Sequence, residues 1–333
     1  LSADPGLEVV GFADRGDRVV DAVERLRPDI VTLDVEMPGA DGLEALAELR
    51  RLWPALPVLM FSSITERGAE ATLDALAAGA TDCLAKPSAL AGGGAETVKA
   101  ELLAKVRGLA RPRRTPRRPV PSTPLPGPKA SRAGDGPEVL LIAASTGGPN
   151  ALGAFLARLP RPMPVPALVV QHMPPTFTRI LAERLTASSG HPVEEAADGD
   201  GVEPGRVWIA PGDYHMRVRL RDGRPVLLLD RGVQENSVRP SADVLFRTAV
   251  EVYRAGCLAV VLTGMGQDGL RGCEAVRAAG GCVLAQDEAS CVVWGMPGAV
   301  SRAGLVDRLA PPEVLADEVA GRLALRASRL VRS

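Results

Sequence analysis

Apolar positions along the chain fall into short blocks that alternate between two spacings. Val9 to Ala13 reads as a strand, and Val19, Ala22, Val23 and Leu26 then share one helical face. Ile30 to Leu33 is a buried strand ending at Asp34. Leu43, Leu46 and Leu49 mark a helix, and Pro57 to Phe61 the next strand. A helix over about Arg67 to Ala78, a short strand at Cys83-Leu84-Ala85 and an amphipathic helix from Glu96 to Leu109 follow. Strands and helices alternating in this way predict a parallel sheet covered by helices.

The pattern stops at Arg111 and resumes at Glu138. The segment between, RPRRTPRRPVPSTPLPGPKASRAGDGP, is dense in Pro, Arg, Ser and Gly and nearly lacks large apolar residues. Such a stretch cannot bury a core and predicts an extended linker over residues 111–137, its arginines solvated. Val139 to Ala143 is then a continuous apolar run, as in a strand buried on both faces. Pro149 opens a helix with Leu152, Phe155, Leu156 and Leu159 on one face. Further strands are expected at Leu168–Val170, Val207–Ala210, Ala259–Leu262 and Cys282–Ala285, with helices at Thr178–Ser188, Ala242–Ala255 and Leu270–Ala279. Met216–Leu220 and Val226–Leu229 flank Arg221-Asp222-Gly223-Arg224, a hairpin signature. The expected architecture is α/β with two domains, 1–110 and 138–330.

Composition narrows the function classes. A formal net charge of -1 argues against a dominant nucleic-acid or membrane-surface partner. No apolar run is long enough to span a bilayer, and no signal-peptide pattern opens the chain. The five cysteines form no CxxC pair and read as reduced core thiols of a cytoplasmic protein. The three histidines show no metal-ligand spacing.

Three polar residues lie just past the carboxyl ends of apolar strands. Ser145, in Ile142-Ala143-Ala144-Ser145-Thr146-Gly147-Gly148-Pro149, sits between a strand and a helix whose first turn offers free N–H groups for an oxyanion. His172 follows Leu168-Val169-Val170, and Asp268 lies in Thr263-Gly264-Met265-Gly266-Gln267-Asp268-Gly269, where alone it would be read as a helix cap. The carboxyl ends of parallel strands share one sheet edge, so the three can converge there. A histidine can take the serine's proton and a carboxylate can hold the imidazolium, which predicts nucleophilic catalysis. The order Ser, His, Asp differs from the Ser, Asp/Glu, His order of α/β-hydrolases.

The segments IAASTGGP, QHMPPTFT, IAPGDYHM, RPSADVLF, LTGMGQDG and QDEASCVVWGMP resemble the catalytic domain of the CheB family, the chemotaxis protein-glutamate methylesterases, from about Glu138 to Val319. The resemblance implies Ser145 as nucleophile, His172 as general base and acid, and Asp268 as its orienting carboxylate. It places Thr146 and Met265 in the site lining, with the Met265 N–H as an oxyanion donor, and calls for no cofactor in catalysis. Gln267 departs from the Asn more usual beside the aspartate, which bears on fine positioning. The implied substrates are glutamate methyl esters and glutamines of methyl-accepting chemoreceptors, and a monomer is expected.

The first domain resembles a response-regulator receiver of flavodoxin-like fold. Leu33-Asp34-Val35-Glu36-Met37-Pro38-Gly39-Ala40-Asp41-Gly42 matches the phosphoacceptor stretch, Ser62 the switch hydroxyl, and Lys86 before Pro87 the phosphoryl-contacting lysine. The resemblance implies phosphorylation of Asp34 by a CheA-type histidine kinase, with Mg²⁺ bound beside Asp34. In the family the unphosphorylated receiver covers the active site. This chain, however, starts at Leu1, just before what corresponds to a receiver's second strand. The expectation is therefore a gap in the sheet and an incomplete metal site. Either the recorded N-terminus is truncated, which the Leu1 start favours, or the receiver is unstable and not phosphorylated normally.

Two readings from other classes compete with the esterase. Dinucleotide binding is disfavoured because Ser145-Thr146-Gly147-Gly148 is not GxGxxG. A non-catalytic signalling module is disfavoured by the intact Ser, His and Asp. The same chemistry on a receptor outside chemotaxis is the runner-up.

Overall fold

The computed structural model describes residues 1–2, 4–37, 41–63, 65–86, 95–110 and 136–330. The chain separates into two compact units, Leu1–Thr115 and Pro116–Ser333. Most of the expected linker, residues 111–135, lies outside the described residues.

The first unit runs α1 (Val19–Leu26), β1 (Val31–Asp34), α2 (Gly42–Leu52), β2 (Val58–Ser62), α3 (Glu66–Ala77), β3 (Asp82–Ala85) and α4 (Ala95–Leu109). The three strands pair in parallel in the order β1-β2-β3. Helix α2 starts where Asp41 accepts the Leu43 and Glu44 N–H groups, and it buries Leu46 and Leu49 completely. Lys105 of α4 reaches the buried Asp82 of β3. Burial pushes the Lys105 ammonium down, but the carboxylates of Asp82 and Glu101 outweigh it and hold the lysine charged.

One expectation is corrected here. Val9–Ala13 forms no strand: the segment is irregular, with Val9 50% and Phe12 90% exposed. A strand exists by virtue of a partner ladder, and among the described residues β1 pairs only with β2. The sheet therefore has no internal gap.

The second unit runs β4 (Val139–Ala144), α5 (Gly148–Leu156), β5 (Ala167–Gln171), α6 (Phe177–Ser189), β6 (Val193–Glu195), β7 (Val207–Ile209), β8 (His215–Arg221), β9 (Arg224–Asp230), α7 (Ala242–Tyr253), β10 (Cys257–Val261), α8 (Leu270–Ala278), β11 (Cys282–Gln286), α9 (Met296–Arg302), β12 (Arg308–Ala310) and α10 (Pro312–Leu330). Seven strands form a parallel sheet in the order β12-β11-β10-β4-β5-β7-β6. Strand β4 is buried along its whole length, as its unbroken apolar run requires. Its residues Val139, Leu141 and Ala143 join one cluster with Phe246 of α7, Val276 of α8 and Val300 of α9. Leu140 and Ile142 point to the other face. Helices thus cover both faces of the sheet, as expected for a doubly wound fold.

The chain enters this sheet at β4, moves out through β5 to the edge strand β6, fills the place between them with β7, and then returns to β10 on the other side of β4. The direction of winding reverses between β4 and β10, and such a switch point opens a crevice at the carboxyl ends of the strands. Strands β8 and β9 form the expected antiparallel hairpin. Its turn residues Asp222 and Gly223 both have positive φ, 52 and 76, the conformation a two-residue hairpin loop demands.

Candidate active site

Ser145, His172 and Asp268 arise at the carboxyl ends of β4, β5 and β10, the three central strands. Ala144 stands opposite Gln171 in the ladder, so Ser145 and His172 are the next residues out on neighbouring strands. The His172 N–H donates to the Ala144 carbonyl at 3.1 Å, and the Ser145 N–H to Thr263 of the β10 loop at 3.0 Å. The Thr263 hydroxyl in turn donates to the Thr146 carbonyl at 3.0 Å. Backbone bonds thus stitch the serine loop to both flanking strands.

Small residues make this closeness possible. A Cβ on Gly264 would lie 2.9 Å from the Ser145 Cβ and 2.5 Å from the Met296 sulfur. On Gly148, the first residue of α5, it would lie 2.0 Å from the Gln171 Oε1. Gln171 fills that space so that its Nε2 donates to the Ser145 carbonyl at 3.0 Å and the His172 carbonyl at 3.3 Å.

Asp268 is 2% exposed and accepts five hydrogen bonds. Its Oδ2 takes the His172 Nε2 at 2.9 Å and the Ala242 N–H at 2.6 Å. Its Oδ1 takes the Ser241 hydroxyl at 2.7 Å, the Asn236 Nδ2 at 3.0 Å and the Asp243 N–H at 3.2 Å. Burial pushes the carboxyl up, but His172, Ser241 and Ala242 outweigh burial and bring it down to about 2. Asp268 is a cap, though not of α8, which follows it and begins after Gly269. It sits at the N-terminus of α7, where the helix dipole favours a negative charge.

A carboxylate on Nε2 fixes the His172 tautomer with the proton there, leaving the lone pair on Nδ1. His172 and Ser145 are brought alongside but are not hydrogen-bonded to each other among the described residues. Thr146 is buried, Met265 is half-buried, and the Met265 N–H meets no acceptor among the described residues. Gln267 is exposed. The arrangement can generate a nucleophile at Ser145, hold an imidazolium at His172 and offer backbone N–H groups to an oxyanion.

The supporting contacts from Asn236, Ser241 and Asp243 are absent from the sequence reading. A serine opening the apolar-periodic helix after Pro240 signals an N-cap, but not which carboxylate it would serve. His215 belongs to the same shell. It is fully buried, accepts the Ser241 N–H on Nδ1 at 3.2 Å and is held through Nε2 by the Val233 carbonyl at 3.0 Å.

In the first unit, Asp34 and Lys86 meet at 2.6 Å, each about one-third exposed. Ser62 ends the strand between theirs but turns its hydroxyl to the Gly68 carbonyl at 2.8 Å and is fully buried. Pro38, Gly39 and Ala40 of the phosphoacceptor stretch, and Pro87, lie outside the described residues. Among the described residues no three His, Cys, Asp or Glu side chains gather as a metal site. Asp34 supplies one carboxylate, so these residues alone do not fit a complete Mg²⁺ site. All five cysteines are free; Cys83, Cys257 and Cys273 are buried, Cys282 and Cys291 half-buried. Among the described residues no helix is long and apolar enough to cross a membrane.

Residues 140–319 match the family model of the CheB methylesterase, and residues 1–92 that of the response regulator receiver domain. A protein-glutamate methylesterase/protein-glutamine glutaminase of Nocardioides is 46% identical over 99% of this chain and 92% of its own. One from Trichodesmium erythraeum is 43% identical over 97% of this chain and 94% of its own. The crystal structure of the Thermotoga maritima CheB methylesterase catalytic domain is 42% identical, with a TM-score of 0.55. It is matched over 98% of its length by 56% of this chain.

Proposed function

Because the chain belongs to the CheB methylesterase family and carries a receiver domain, we propose that it hydrolyses glutamate methyl esters of methyl-accepting chemoreceptors and deamidates receptor glutamines, acting in the cytoplasm. Ser145 Oγ attacks the ester carbonyl as its proton passes to His172 Nδ1. Asp268 holds the resulting imidazolium through Nε2, and the Met265 N–H, with the loop at Thr146, receives the oxyanion. The tetrahedral adduct collapses, and methanol leaves with the proton from His172. Water, deprotonated by His172, then attacks the acyl-serine and returns a carboxylate. With glutamine the same sequence releases ammonia.

The observation that carries this reading is Asp268: a buried carboxylate held ionised by five donors, one of them the imidazole beside the serine. The test is methanol release from methylated receptor membranes. Release by the wild type and not by Ser145→Ala is expected; equal release by both would remove Ser145 from the reaction.

The receiver reading assigns Asp34 as phosphoacceptor for a CheA-type histidine kinase, with Lys86 as the cation beside it. Label transfer from acetyl phosphate to the wild type and not to Asp34→Asn is the expected result.

A further inference from the structure

Asn236 lies in a tight turn, Glu235 to Val238, closed by the Val238 N–H to the Glu235 carbonyl at 3.0 Å and the reverse bond at 3.2 Å. Asn236 and Ser237 both have positive φ, 54 and 63, a region where asparagine is tolerated better than most side chains. Glu235 is tied to Arg247 of α7 at 2.6 Å. From this anchored turn the Asn236 Nδ2 donates to Asp268 Oδ1 at 3.0 Å and to Asp243 Oδ2 at 2.9 Å. An amide nitrogen has two hydrogens, one for each carboxylate.

Asp243 is 1% exposed, and its other oxygen takes the Gly272 N–H at 2.7 Å. Two carboxylates buried side by side repel, and the usual outcome is a shared proton or a displaced side chain. Burial, and the charge of Asp268, push the Asp243 carboxyl up. Among the described residues Asn236 is the side chain that bonds to both. We infer that Asn236 is a positioning residue for hydrolysis: by bridging Asp243 and Asp268 it keeps the two carboxylates from sharing a proton and keeps Asp268 turned toward His172. The inference rests on the esterase reading for its kinetic consequences, but not for the geometry it predicts.

The turn borders an open cavity of about 680 Å³, so the site titrates with solvent. The charged groups facing it are Glu235, Asp243, Arg247, Arg271 and Glu274 around the cavity, and Asp268 behind. Two substitutions separate the amide from the turn. Asn236→Gly keeps the positive φ and removes the donor. Asn236→Asp keeps the shape and replaces the donor by a third carboxylate.

For Asn236→Gly, a folded protein melting a few degrees below the wild type is expected, with kcat lowered about ten- to a hundred-fold, the worth of a hydrogen bond to a charged group, and KM unchanged. For Asn236→Asp, activity relative to wild type should rise as pH falls, because the protonated acid regains an O–H donor. Wild-type kcat in the glycine variant, or a flat ratio across pH in the aspartate variant, would overturn the inference. Wild type against Ser145→Ala, run alongside, tests the esterase reading separately. Should neither release methanol, the downfield proton resonance of the His172–Asp268 hydrogen bond, identified by its loss in His172→Ala, decides: a shift or broadening in Asn236→Gly supports the bridge, and an identical resonance overturns it.

Discussion

Asp268 shows how much of a buried carboxylate's character comes from its partners. Burial alone pushes its carboxyl up, yet His172, Ser241 and Ala242 pull it to about 2. Because the folded value lies below the ordinary 3.8, ionised Asp268 contributes stability that is fully present above about pH 4 and lost as pH falls toward 2. A shift of this size corresponds to roughly 2 kcal/mol. Asp268→Asn should therefore unfold at lower urea than the wild type at pH 6, with the gap narrowing as pH approaches 2; a gap independent of pH would contradict the ionised assignment. Its kcat for methanol release should fall about 10⁴-fold, as when the aspartate of a serine-protease triad is amidated. At this scale the sequence is legible where a polar residue lies just past an apolar run, as for Ser145, His172 and Asp268. Asn236 and Ser241 are not legible, because the oxygen they serve lies 32 and 27 positions away.

Strand ends, rather than whole strands, make the site, and glycines set how closely they approach. Gly264 leaves no space for a methyl group between the Met296 sulfur and the Ser145 Cβ. Gly264→Ala should therefore displace Ser145 and lower kcat far more than it lowers stability, where overpacking typically costs about 1–3 kcal/mol. Wild-type turnover in a folded Gly264→Ala would show that the two loops are free to separate. Helix α7 matters in another way, since its first turn holds Asp268 while Phe246, fully buried, fixes its body against Gly272 of α8. Phe246→Ala should cost about 3–5 kcal/mol by denaturant titration. Elements with strong patterns, such as Val139–Ala144 or the Asp222-Gly223 hairpin, are visible in the sequence because periodicity or turn chemistry states them locally. Val193–Glu195 and Arg308–Ala310 are not, being three-residue strands that exist through their neighbours. Val9–Ala13 fails for the converse reason: its apolar residues suit a strand, but no ladder receives them.

The two units differ in how far each closes on itself. The second gathers seven parallel strands, helices on both faces and every residue of the proposed triad within Pro116–Ser333. Among the described residues the hydrogen bonds that hold Ser145, His172 and Asp268 are made within the second unit, so the chemistry should survive without the first. Residues 136–333 alone are expected to melt in one cooperative transition and to release methanol with a kcat at least equal to that of the full chain. The first unit has a three-stranded sheet, with Val9, Val10 and Phe12 exposed. Buried apolar area sets cooperative stability, so the full chain should show two transitions by calorimetry, with the first unit melting earlier. A single transition shared by both, or a catalytic segment that cannot fold alone, would mean that the units stabilise each other, and the esterase would then have to be understood as one body with its receiver.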